Sequence, residues 1–75
     1  MNKQNREDLQ KANKLLKEAQ QIIISVQEDE QDKFDNMPEN LQSSERGEQF
    51  EENAQCLDEI SDELLGSIEV IEELI

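Results

Sequence analysis

The chain has no histidine, tryptophan or tyrosine, and only one cysteine, one proline and two glycines in 75 residues. Each shortage removes a class of function. Without histidine the commonest general base is missing, and nucleophilic catalysis needs a base in reach of its nucleophile. Without histidine or a second cysteine the usual zinc ligand sets are missing too. Cys56 cannot form an internal disulfide, and a lone thiol suits a reducing compartment. It reads as a small, half-buried residue beside Ile60. Basic residues are scarce as well: 7 Lys and Arg stand against 20 Asp and Glu, a net charge of −13, and none follows Arg46. Such an excess disfavours direct contact with nucleic acid or anionic membranes and leaves basic protein surfaces as partners. No run approaches the ~18 apolar residues of a membrane span, and the first residues carry no apolar stretch of the signal type. The expectation is a cytoplasmic protein without membrane contact.

What the sequence does have is helical period. Leu9, Ala12, Leu16, Ala19, Ile23 and Val26 are spaced by threes and fours, as at the a and d positions of a heptad repeat. Leu15 and Ile22 widen that stripe, and the run Ile22-Ile23-Ile24 must turn one member beyond it. After a break the period resumes with Phe50, Ala54, Leu57, Ile60, Leu64, Ile68, Ile71 and Ile75. The break carries Met37-Pro38, and a residue before proline is biased away from helix. Pro38 can open one short turn through Leu41. Phe34, Met37 and Leu41 are read as a plug over the end of the core. Asn5 is the expected cap of the first helix, and Ser43 or Ser44 of the second.

Leu9 and Ile71, Leu16 and Leu64, and Ile23 and Leu57 are mirror images about residue 40. The predicted fold is therefore all-α: an antiparallel two-helix hairpin, with one helix over about 6–33, a turn over 34–44 and a second helix over about 45–74. Five of the seven basic residues precede residue 18, so the basic start of the first helix meets the acidic end of the second. Lys11 is expected near Glu69 and Lys17 near Glu63. Each exposed pair contributes only ~0.2–1 kcal/mol, but together they favour antiparallel pairing.

At the break, Phe34-Asp35-Asn36-Met37-Pro38-Glu39-Asn40-Leu41-Gln42 followed by Ser44-Glu45-Arg46-Gly47-Glu48 resembles small, mostly uncharacterised proteins of phages and prophages. Those commonly read Phe-Asp-Asn-Leu-Pro-Glu-Gly-Leu-Gln at this turn, so Met37 and Asn40 depart from the pattern. The resemblance covers roughly residues 33 to 74 and implies a phage or prophage setting, with no catalytic activity attached.

Carboxylates recur at Glu59-x-x-Asp62 and Glu69-x-x-Glu72, but the histidines of di-iron bundles are missing. No metal, cofactor or catalytic residue is expected. The expected function is an acidic protein–protein interaction module that self-associates, as a four-helix bundle dimer of two hairpins, through Leu15, Ile22, Ile24, Leu65 and Ile68. The alternative is a nucleic-acid mimic that inhibits a basic DNA-binding or host-defence protein. Its surface would be an acidic rail of Glu51, Asp58, Glu59, Asp62, Glu69 and Glu72. Acids along the second helix fall at one per ~3.7 Å, close to the ~3.4 Å per phosphate of a DNA strand.

Overall fold

A computed structural model describes residues 1–75. It contains three helices and no strand: α1 (Lys3–Asp35), α2 (Glu39–Gln42) and α3 (Glu45–Leu74). The two long helices pack antiparallel into a rod of 58 × 14 × 13 Å. No helix is long and apolar enough to cross a membrane.

Local chemistry sets the ends. Asn2 caps α1, its side-chain oxygen accepting from the Asn5 N–H at 2.7 Å, so the helix starts one turn earlier than Asn5 itself would allow. Pro38 stands before the single turn of α2, and Ser44 caps α3 by accepting from the Gly47 N–H at 3.3 Å. The Ser44 hydroxyl also donates to the Leu41 carbonyl. Gln42 fastens the turn to α1 by donating to the Phe34 carbonyl at 3.3 Å.

The seam differs from the one that apolar spacing predicts. On α3 the residues Gly47, Ala54, Ser61 and Ile68 are buried, with Phe50, Leu57, Leu64 and Ile71 half-buried between them. That is one unbroken heptad series through Ser61, and Ile60 is left 43% exposed. On α1 the inward series is Leu9, Asn13, Leu16, Gln20, Ile23, Gln27, Glu30 and Phe34. Val26 is exposed, and Asn13, at 5% exposure, is the one buried residue of the helix. Apolar and polar side chains thus alternate along most of the α1 seam. Gln20 donates to the Ser61 carbonyl at 3.2 Å and Asn13 to Glu72 Oε1 at 3.3 Å.

The cross-helix contacts join residues whose numbers sum to more than the 80 of the mirror, as Asn13–Glu72 (85) and Gln20–Ser61 (81) show. Helical side chains lean toward their own N-terminus. In an antiparallel pair this offsets each contact toward higher numbers on both helices.

The two glycines have opposite roles. A Cβ on Gly47 would run into the backbone of Gln42 and lie 2.8 Å from the Leu41 carbonyl oxygen, whereas one on Gly66 would meet nothing within 4 Å. Gly47 is therefore required by the close approach of α2. Gly47→Ala is expected to destabilise the hairpin by ~1–3 kcal/mol through overpacking. Gly66→Ala is expected to stabilise it by up to ~1 kcal/mol through helix propensity. Thermal melts followed by circular dichroism check both signs.

Candidate functional site

α1 carries a second apolar stripe, one residue out of phase with the seam: Ala12, Leu15, Ala19, Ile22 and Val26. Leu15 and Ile22 are 65% and 66% exposed. The equivalent stripe of α3 holds Cys56, Ile60, Val70 and Leu74, all exposed. Antiparallel helices set position e against e and g against g. With the seam as a and d, Lys17 and Glu72 are both e residues, and they form an ion pair of 2.8 Å. The g positions, among them Ala12, Ala19, Val26, Ile60 and Leu74, therefore adjoin on the other side. With the neighbouring c positions they make one continuous apolar face. Ten large hydrophobic residues are exposed, and six of them (Leu15, Ile22, Val26, Ile60, Val70 and Leu74) lie on this face.

This placement corrects several expectations. Ile68 is 3% exposed, so it is spent inside the hairpin and has no surface left for a second copy. Ile24 and Leu65 occupy the e flank, one heptad along from Lys17 and Glu72, and do not share the face of Leu15 and Ile22. Cys56 is exposed, because the seam follows Ser61 and not Ile60. Val26 and Leu74 were missed as surface residues. The signal for them was a stripe offset by one position from the seam, which hydrophobic spacing alone merges with it.

The acids of α3 collect on the opposite flank. Glu51, Asp58, Glu59, Asp62, Glu69 and Glu72 all fall at its b, e and f positions and are exposed. Glu63 is the one acid of α3 on the apolar side. Glu72 is already engaged: the Lys17 ammonium, then the Asn13 amide, hold its carboxyl below the ordinary value. Lys17 thus pairs with Glu72 and not with Glu63, and Lys11 forms no ion pair with Glu69. The reach of Lys17 toward the open end of the hairpin follows from the same N-terminal lean of helical side chains.

At the turn, Phe34 and Met37 are half-buried, but Leu41 is 45% exposed and does not close the plug. Leu41, Met37, Pro38 and Phe50 line a small apolar notch beside Lys33 and Arg46. Both cations lie over the Phe50 ring, at 5.9 and 5.5 Å from its centre. A 3.1 Å contact with Asp29 raises the Lys33 pKa, chiefly through its hydrogen bond.

Compared with known proteins, the chain matches no protein-family model, no curated protein and no solved structure.

The charge distribution gives a pH prediction. Like charges three and four apart on α3, such as Glu48/Glu52 and Glu59/Glu63, repel at neutral pH. The melting temperature is expected to be higher at about pH 4.5 than at about pH 7.5, and to rise with salt at neutral pH. Glu72 works in the other direction. Its folded pKa is depressed, so its stabilisation is complete above the ordinary value of 4.5 and is lost as pH falls through the lower folded value. Glu72→Gln should therefore lower the melting temperature at about pH 7.5 and change little at about pH 2. Melts of both chains across this range check the sign.

Proposed function

We propose that this chain is a non-enzymatic, acidic interaction module that works by helix packing, first of all with a second copy of itself. The observation that carries this reading is the apolar face of Leu15, Ile22, Val26, Ile60, Val70 and Leu74, on a hairpin whose buried apolar residues are only Ala54 and Ile68. Fully burying a Leu, Ile or Val side chain is worth ~1.5–3 kcal/mol, and chains this short often obtain their core by oligomerising. A dimer of two hairpins as a four-helix bundle supplies that core. The likeness of the turn to phage and prophage proteins supports reading the module as one that works in the cytoplasm of a phage-infected or lysogenic host cell.

A second reading is favoured by a separate observation, the collection of the acids of α3 on one flank of a helix that carries no Lys or Arg after Arg46. Such a flank suits an inhibitor that imitates nucleic acid before a basic cleft. The two readings use different surfaces, so two sets of substitutions separate them. Leu15→Glu with Ile22→Glu should convert a dimer to a monomer in analytical ultracentrifugation. Both side chains are already mostly exposed in the single hairpin, so the hairpin itself loses little. Asp58→Lys, Asp62→Lys and Glu69→Lys together should leave the dimer intact. A wild-type chain that sediments as a compact, fully helical monomer at high concentration refutes self-association. If a basic protein is captured and then lost on the triple reversal, but retained on the apolar substitutions, the mimic reading stands instead.

A further inference from the structure

The turn separates charge by sign. One concavity beside it is lined by Phe34, uncharged polar residues and four acids, Glu39, Glu48, Glu51 and Glu52. The other is the apolar notch beside Lys33 and Arg46, about 620 Å³ in volume. None of its eight lining residues is acidic, in a chain where 20 of 75 residues are Asp or Glu. Lys33 and Arg46 are also the only basic residues after Lys17, so every later cation of the chain is gathered on this one surface.

The two cations differ. Lys33 is engaged by Asp29 at 3.1 Å. Arg46 forms no ion pair, and its guanidinium rests 5.5 Å from the centre of the Phe50 ring. An exposed guanidinium gains only ~0.5–1 kcal/mol from an aromatic face, and it keeps its planar fork of donors for an oxyanion. Asp29 raises the Lys33 pKa, and Arg46 opposes that rise. The two cations therefore repel, and an anion bound in the notch relieves the repulsion.

The apolar lining is also unpartnered. Leu41 is 45% exposed, Pro38 is exposed, and Met37 and Phe50 are half-buried. Yet the walls are fixed. Gln42 donates to the Phe34 and Met37 carbonyls at 3.3 and 3.4 Å, and the Leu41 N–H to the Pro38 carbonyl at 2.8 Å. α2 rests against Gly47, where no Cβ fits. A surface ordered before binding loses little conformational freedom when it is covered.

We propose that the notch is an interaction site separate from the outer face, and that its occupant is an acidic segment of a partner protein. One large apolar side chain of that segment packs on Met37, Leu41 and Phe50, and a carboxylate next to it accepts from the Arg46 guanidinium. This inference does not rest on self-association.

The lining selects this chemistry over its rivals. An inorganic anion would leave the apolar walls uncovered. A basic segment would meet two cations, with the carboxylates on the other side of the turn. An uncharged apolar segment would cover the guanidinium without pairing it, and burying an unpaired charge is costly. The net charge of −13 opposes an acidic partner at long range. At ~0.15 M ionic strength that repulsion is screened beyond ~8 Å, whereas the contact inside the notch is not.

The test uses backbone amide shifts of the isotope-labelled full chain, titrated with the peptide acetyl-Gly-Asp-Phe-Glu-Gly-amide. The amides of Met37, Leu41 and Arg46 should shift. Replacing its two acids by Asn and Gln, or its Phe by Ala, should weaken binding at least tenfold, equivalent to ~1.4 kcal/mol. Arg46→Gln should weaken the acidic peptide likewise and leave the neutral one unchanged. Arg46 is exposed, so helicity should persist, and circular dichroism checks this. The Leu15→Glu, Ile22→Glu chain should bind as the wild type does, whatever its oligomeric state. No shift at millimolar peptide, or equal binding of the acidic and neutral peptides, overturns the proposal. Shifts that vanish in the Leu15→Glu, Ile22→Glu chain place the peptide on the outer face and overturn it too. Phenylbutyrate binding as tightly as the peptide would mean that the notch takes a small apolar acid, and the partner segment is then wrong.

Discussion

The structure depends on a match of sizes across the seam. At alternate inward positions α1 presents Asn13, Gln20, Gln27 and Phe34, long or flat side chains, three of them amides. At alternate inward positions α3 presents Gly47, Ala54, Ser61 and Ile68, three of them small, and all four are buried. An amide needs room and a polar partner when it is buried. Gln20 finds both at Ser61, where it reaches the backbone carbonyl. Asn13 finds its partner in Glu72, which Lys17 holds in place. Between these layers, Leu9, Leu16 and Ile23 on α1 and Leu57, Leu64 and Ile71 on α3 supply the apolar contact. Single polar residues at core positions of paired helices set register at some cost in stability, and this seam carries several.

That cost explains the outside of the molecule. A seam diluted with amides and small residues buries little apolar surface, and no large side chain is fully buried. Most of the remaining apolar residues are not scattered. They form a second stripe on each helix, and the e–e pairing of Lys17 with Glu72 puts both stripes on the same side. The stabilisation missing from the seam is thus available only through the outer face, which is why folding and association are linked in the proposed reading.

Much of this was legible beforehand. The helix over 45–74 coincides with α3, because Ser44 is a strong capping residue and Met37-Pro38 is a strong break. The single turn after Pro38 was legible for the same reason. The seam was legible only at its apolar positions. Ala12, Ala19 and Val26 were preferred to Asn13, Gln20 and Gln27, and Ile60 to Ser61, because counting apolar residues cannot separate two heptad stripes that differ by one position. The polar residues of the inner stripe become identifiable only when a partner such as Ser61 or Glu72 is seen opposite them. The need for glycine at position 47 was not legible, because the approach of α2 is a tertiary fact. The acid rail was legible as a group, and only the capture of Glu72 by Lys17 required the structure.

The apolar face and the acidic flank belong to one argument about assembly. A rod with apolar residues on all sides would stack without limit. Here the e, b and f flank of α3 is covered with carboxylates, so a further copy approaching that side meets like charge and finds little apolar surface. The c and g face carries one acid of α3, Glu63, and is open to contact. In the proposed self-association, contact is therefore favoured on one side and opposed on the other, which would give a closed pair and not a fibre. Under that reading, the same acidity that gives α3 a phosphate-like charge spacing would also stop assembly at two, and a role in solubility and stoichiometry would account for the flank without a nucleic-acid-binding target.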